Sequence, residues 1–211
     1  MAHIHTGPGE YDLTVSAFIV RAPTPSFCGA QAPSQNRDSA VEQLDSLDPS
    51  RRRFVRPQGD GGGPPRLLLH RHKTLGVVMQ AGGHVELTET PWEAITHEIL
   101  EETGYEMSQL KVLQPPLRMD LTGGVHPQPL SVRSFRFGDE DHFHIDLSYV
   151  FVTDQEPLHS VGEDESEELM WVTRDELASI DTYEDVRAVG YYVFDHLLGE
   201  WEAVDCPSPT V

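Results

Sequence analysis

Positive charge is scarce in this chain. Fifteen Lys and Arg face 35 Asp and Glu, a formal net charge of −20 over 211 residues. A field of that sign repels duplex nucleic acid and anionic lipid, so neither DNA binding nor attachment to a membrane surface is expected. A phosphate-bearing partner has to be met by local devices. Cysteine is scarcer still: Cys28 and Cys206 are the whole supply, which excludes a disulfide framework and fits a reducing compartment. Long apolar runs are missing, and the opening MAHIHTGPGEYDLTV lacks the basic and apolar regions of a secretory signal. The expectation is a cytoplasmic chain without a membrane span. What remains, 38% hydrophobic and 24% charged, suits one globular domain of ordinary size and excludes collagen-like, coiled-coil and wholly disordered chains.

Apolar, β-branched runs mark the strands. Leu13 to Val20, Arg66 to His70, Leu75 to Gln80, Leu110 to Leu113, Val132 to Phe137, His144 to Val152 and Leu169 to Val172 all read as extended segments. Helices are expected at 91–103, at Arg174 to Ile180 and from Tyr183 to Trp201. Strands interleaved with few helices indicate a layered α/β or α+β domain, with its core over about 12–201 and a flexible tail at 202–211. Residues 22–65, rich in Pro, Ser, Gln and Gly, read as a low-complexity insertion too polar to order itself, with at most a short helix from Ala40 to Leu47. Its Arg51, Arg52, Arg53 and Arg56 read as a solvated loop.

The 91–103 helix is signposted at both ends. Thr90 stands at the N-cap, Pro91 at the first helical position, and Glu93 completes a capping box; Gly104 supplies the stop. Trp92, Ile95 and Ile99 make an ordinary core stripe, but Glu98, Glu101 and Glu102 crowd the next face at i, i+3 and i+4. Like charges so spaced repel, and they sit where the helix dipole is already negative. From Thr74 to Leu110 there is no Lys or Arg to relieve them, while Glu86, Glu89, Glu93 and Glu106 add to the charge. Hard oxygen donors on a rigid helix suit Mg²⁺ or Mn²⁺; a solvated acidic face accounts for the composition equally well.

Spacing separates the two. Gly83, Glu89 and the run His97-Glu98-Ile99-Leu100-Glu101-Glu102-Thr103-Gly104-Tyr105 resemble the Nudix box, which is glycine, five residues, glutamate, seven residues, then Arg-Glu-aliphatic-any-Glu-Glu-any-Gly-bulky apolar. His97 occupies the arginine position, and Ala81 replaces the proline usual ahead of the box. The segment LLLHRHKTLGVVMQAGGHVE is similar to the strand, loop and glycine pair that precede the box in MutT-like Nudix hydrolases.

The resemblance implies an α/β fold, a Nudix-type α/β/α sandwich with a mixed central sheet and a loop-helix-loop catalytic motif. It implies a Mg²⁺- or Mn²⁺-dependent hydrolase that cleaves the diphosphate bond of a small nucleoside diphosphate derivative: a nucleoside triphosphate, a nucleotide sugar or a dinucleoside polyphosphate. The metal ligands and catalytic acids would be Glu98, Glu101 and Glu102, with the carbonyl of Gly83; Glu89, His97 and Gly104 would support them. Histidine offers fewer donors than arginine for orienting glutamates, so activity weaker than the family's, or biased to low pH, is expected.

Other residues could meet the substrate. His142, His144 and Asp146 alternate with Phe143, Ile145 and Leu147, giving a strand one polar face; with His126 they could touch substrate or form a second metal site, or simply be hydrogen-bonded. Arg71, Lys73, Arg118, Arg133 and Arg136 are the cations around the box, and one or two of them, Arg71, Lys73 and Arg133 foremost, are expected at substrate phosphates. Tyr149 and Trp171 read as core. The acidic run Glu163 to Glu168 is where a second base would lie, though it reads first as a solvated loop. A non-catalytic nucleotide-sensing Nudix module is the alternative reading. An isoprenoid diphosphate isomerase on the same fold ranks lower, since neither cysteine lies among the predicted site residues. The sequence leaves a homo-oligomer open.

Overall fold

The computed structural model describes residues 11–22, 63–73, 75–119, 125–136, 142–161 and 166–208. The helix expected at 40–47, the four insertion arginines, Cys28 and Glu163 to Glu165 fall outside them.

Two long strands form the spine. β1 (Tyr11–Arg21) and β7 (Phe143–Thr153) run parallel, in register from Tyr11 opposite Phe143 to Arg21 opposite Thr153. Each takes two antiparallel partners on its outer side. β1 pairs with β4 (Ala81–His84) near its start and with β2 (Arg66–His72) at its end. β7 pairs with β6 (Ser131–Phe135) near its start and with β5 (Lys111–Gln114) at its end. β3 (Val78–Met79) and β8 (Ser166–Thr173) extend the sheet from β2, and β9 (Glu202–Asp205) extends it from β5. The result is an open, mixed sheet.

Side-chain alternation gives this sheet two apolar faces. On one, Val15, Ala17 and Ile19 of β1 and Tyr149 and Phe151 of β7 pack against Trp92, Ile95 and Ile99 of α1 (Pro91–Thr103). On the other, Phe18, Val20 and Val150 meet Val186 of α2 (Glu184–Tyr192) and Val193, Phe194 and Leu197 of the π-helical turn that follows it. A helix on each face makes the expected α/β/α sandwich. The second face is apolar only toward the carboxyl ends of β1 and β7; toward their amino ends the same alternation presents Asp12, Thr14 and Ser16 beside His144, Asp146 and Ser148.

Several boundaries differ from the expectations. The strand expected from Leu75 is cut to Val78–Met79 because Gly76, at φ 65°, turns the chain between β2 and β3. The glycine pair lies inside β4 rather than after a strand. The helix expected at 174–180 is a 3₁₀ turn over Glu176–Ser179, where the Glu176 carboxylate accepts the Thr173 N–H and hydroxyl at 2.8 Å. The single helix expected at 183–201 is broken into α2, the π-helical turn and the short α3 (Leu198–Glu200). Residues 202–205, expected in a flexible tail, form β9, since Ala203 and Val204 pack against the two cores and Asp205 pairs with Lys111 at 2.9 Å. Ser166 to Glu168, expected in a loop, belong to β8. Among the described residues no helix is long and apolar enough to cross a membrane.

Candidate functional site

Helix α1 is built as its sequence predicts. The Thr90 hydroxyl accepts the Glu93 N–H at 3.2 Å, and the Glu93 carboxylate accepts the Thr90 N–H at 2.7 Å, closing the capping box and holding Glu93 below the usual carboxylate range. At the other end Gly104 adopts φ 73° and its N–H donates to Leu100. A Cβ there would overlap the His159 carbonyl oxygen as well as strain the left-handed backbone. Rigid ends and a buried Trp92-Ile95-Ile99 stripe fix the rotation of the helix, and therefore the direction of its acids.

The three glutamates fan from interior to solvent. Glu102 is buried at 3% exposure, Glu98 is intermediate and Glu101 is exposed. Glu102 reaches β4, where its Oε2 accepts the Gly82 N–H at 2.8 Å and lies 3.6 Å from Nε2 of buried His70. Burial pushes the His70 imidazole down to about 4, with His72 adding to the shift, so near neutral pH it stands beside Glu102 uncharged. Glu98 lies against Gly83, so closely that a Cβ on this glycine would stand 2.6 Å from the Glu98 Cδ. Gly82, at φ 148°, is required for a different reason: a Cβ there would overlap the Val15 carbonyl across the β1–β4 pairing. The glycine pair thus lets strand and helix approach until two carboxylates touch backbone.

Glu89 and His97 form the next layer. The Glu89 carboxylate accepts the Glu86 N–H at 3.0 Å and lies 2.9 Å from His97 Nδ1. His97 itself is 66% exposed while Glu89 is 13% exposed. At the arginine position of the motif, histidine thus holds the loop glutamate.

The other candidates divide. Asp146 is buried and accepts from Ser16 at 2.8 Å, Thr14 at 3.2 Å and Ser148 at 2.7 Å. His142 and His144 are buried near it on the polar end of the second face. His126 does not join them; it lines a cleft with Gln114, Arg118 and Pro207. Arg133 is drawn to Asp185 of α2 at 2.8 Å, and Arg71 donates to the Gly76 carbonyl of its own hairpin at 2.9 Å. Arg118 pairs with Glu202 at 3.2 Å, and Arg136 lies over the Phe143 ring. Lys73 occupies the turn after β2. Tyr149 is core, edge-on to Trp92, and Trp171 carries the Arg21 guanidinium at 4.3 Å. Burial pushes the Cys206 thiol up to about 12, which leaves it inert.

Two groups escaped the sequence reading. His70 was visible only as part of an apolar strand. Asp12 and His84 join the histidines solely through the β1–β7 and β1–β4 registers, which no local pattern announces.

Comparison with known proteins places the chain in a family. The profile of the NUDIX domain matches residues 51–194. No curated protein sequence matches. Among solved structures, a NUDIX-family hydrolase from Clostridium perfringens superposes with a TM-score of 0.57 at 21% identity, over 87% of this chain and 95% of that one. The C. elegans Ap4A hydrolase, in a binary complex, gives 0.55 at 13% identity, over 89% and 98%. The NUDIX domain of NrtR from Shewanella oneidensis, crystallised with ADP ribose, gives 0.51 at 11% identity, over 92% and 90%. The matched profile spans well over half the chain and contains the glycine pair, the capped helix and its three acids: the chain belongs to the Nudix (MutT-like) hydrolase family.

Proposed function

We propose that this protein is a Mg²⁺- or Mn²⁺-dependent hydrolase that cleaves the diphosphate bond of a small nucleoside diphosphate derivative, such as a nucleoside triphosphate, a nucleotide sugar or a dinucleoside polyphosphate. The observation that carries the reading is the seating of Glu98 and Glu102 against the backbone of Gly83 and Gly82, with Glu101 beside them at the solvent edge. Burying a carboxylate costs free energy that a bound cation offsets, and the helix dipole adds to that cost at this carboxyl end, whose last turn holds no basic residue.

The donor set fits a hard divalent ion: carboxylate oxygens from Glu98, Glu101 and Glu102 and the carbonyl of Gly83, a site that a side chain at Gly83 would close. When bound there, such an ion neutralises charge on a diphosphate and activates water toward phosphorus. The chain's own contribution is order. The Gly82 N–H fixes Glu102, the capped helix fixes Glu98 relative to it, and the His97–Glu89 pair braces the loop between them.

A substrate panel hydrolysed in ¹⁸O water with Mg²⁺ or Mn²⁺, read by product mass, identifies both the substrate and the phosphorus attacked. Glu102→Gln, which keeps the shape and removes one ligand charge, abolishes turnover on this reading. Absence of any product across the panel, with tight nucleotide binding by calorimetry, would convert the assignment to a sensing module.

A further inference from the structure

The polar end of the second face holds a different donor set. One ligand atom each from Asp12, His84 and His144 lie within 4.8 Å of one another. Asp12 and His144 are 4% and 6% exposed. They are neighbours in the β1–β7 register, and His84 arrives from β4, two residues along β1 opposite Thr14. The His84 and His144 rings lie 5.4 Å apart between centroids. Both His84 Nε2, at 3.9 Å, and His142 Nε2, at 3.1 Å, approach the same Asp12 oxygen, Oδ2.

Imidazoles and one carboxylate converging on a mostly buried point are the donors of borderline transition ions, whereas Mg²⁺ prefers oxygen alone. Bonds of about 2.1 Å to a tetrahedral ion place ligand atoms roughly 3.4 Å apart. His84 Nε2 now lies 3.9 Å from Asp12 Oδ2 and its side chain is 25% exposed, so rotation of this ring can bring it toward that spacing, while Asp12 and His144 sit on paired strands. His142 bears on Asp12 as the outer partner that orients a ligating group. Phe135 stacks on His144 at 5.5 Å between centroids and shields it. Adjacent residues of a strand face opposite sides, so Gly83, against Glu98, and His84 belong to different faces of the sheet, and the backbone of β4 separates the two sites.

We propose that Asp12, His84 and His144 form a second metal site, selective for a Zn²⁺- or Co²⁺-like ion over Mg²⁺ and distinct from the carboxylates of α1. The full-length protein, freed of metal and held in excess Mg²⁺, is titrated with Co²⁺ and followed by visible d–d absorption. The expected result is a saturable band at one equivalent, bleached by Zn²⁺. His84→Gln and His144→Gln each weaken Co²⁺ binding at least tenfold, His142→Gln weakens it by about 10- to 100-fold, and Glu102→Gln and His97→Gln leave the band intact. If His144→Gln fails to fold, the partly exposed His84 decides alone. No saturable band, a band indifferent to His84→Gln, or a band lost in Glu102→Gln or His97→Gln overturns the proposal.

Discussion

Alanine at the two adjacent glycines should produce opposite phenotypes. At Gly83 the nearest atoms an added Cβ meets belong to the Glu98 side chain, with its Cδ at 2.6 Å. Ordinary carbon–carbon contact is about 3.5 Å or more, so the carboxylate must withdraw by about 1 Å. A displacement of that size in a catalytic group costs on the order of 10²-fold in kcat/KM. Stability should hardly change, within about 1 kcal/mol, because Gly83 has no positive φ and alanine restricts the unfolded chain. At Gly82 the added Cβ meets the backbone of Val15, which cannot withdraw without breaking the β1–β4 pairing, and φ is 148°. Gly82→Ala should therefore cost at least about 2 kcal/mol, a fall in Tm of roughly 4–8 °C for a chain of this size. Thermal melts and steady-state kinetics with saturating Mg²⁺ on the same preparations check the pair. Full activity in Gly83→Ala, or a Gly83→Ala melt depressed as far as that of Gly82→Ala, would refute the placement of Glu98 against this strand.

Removing the cap by Thr90→Ala should cost about 1 kcal/mol in urea unfolding, with Glu93→Gln milder because the amide oxygen still accepts the Thr90 N–H. Replacing His97 with Ala should release Glu89 and lower kcat/KM, and His97→Arg should restore it; equal rates in all three proteins would remove His97 from the positioning network. His70 gives a pH signature. The unfolded chain takes up this proton near 6.5 and the folded chain only near 4, so the stability tied to its neutral form is intact above pH 6.5 and declines as pH falls toward 4, by roughly 3 kcal/mol in all. Denaturant titrations of His70→Gln should lose that part of the slope, and superimposable pH–stability curves would count against the buried neutral imidazole.

The carboxylate site was legible because its information is local. A capping box, a helix period and a glycine pair lie within one short strand, the loop after it and one helix, and each element reads out in consecutive residues: Thr90 to Glu93, then Glu98 to Glu102, with Gly83 a short loop away. The strands were legible too, as apolar runs, with errors where a turn chemistry intervened, as at Gly76, or where packing against a distant core ordered a segment with little propensity of its own, as at Ala203 and Val204. That His142, His144 and Asp146 share a polar strand face was visible from period two. Their partners were not, because Asp12 stands more than a hundred residues away and joins them only when β1 and β7 pair in parallel.

The same period of two organises function as well as packing. Along β1 and β7 one set of alternating residues is apolar as far as Ile19 and Phe151 and accepts α1, which brings carboxylates to the sheet. The other set is apolar only where α2 covers it and changes to Asp, His, Ser and Thr where it does not. A shift of one residue in the β1–β7 register would turn one strand over against the other, placing either Asp12 and Ser16 of β1 under α1 with Val15 outward, or Asp146 of β7 under α1 with Leu147 outward, at several kcal/mol for each carboxylate set in that apolar face. The polar residues therefore help hold the register that assembles them, and the three hydroxyls on Asp146 lock it from both strands. Disrupting Asp146 should accordingly loosen β1 against β7 and reach Glu98 and Glu102 through β4, although neither touches it. Asp146→Ala should raise amide exchange along β1 and β4 and lower kcat together; faster exchange confined to β7, with kcat unchanged, would show that the strands keep their register without this carboxylate.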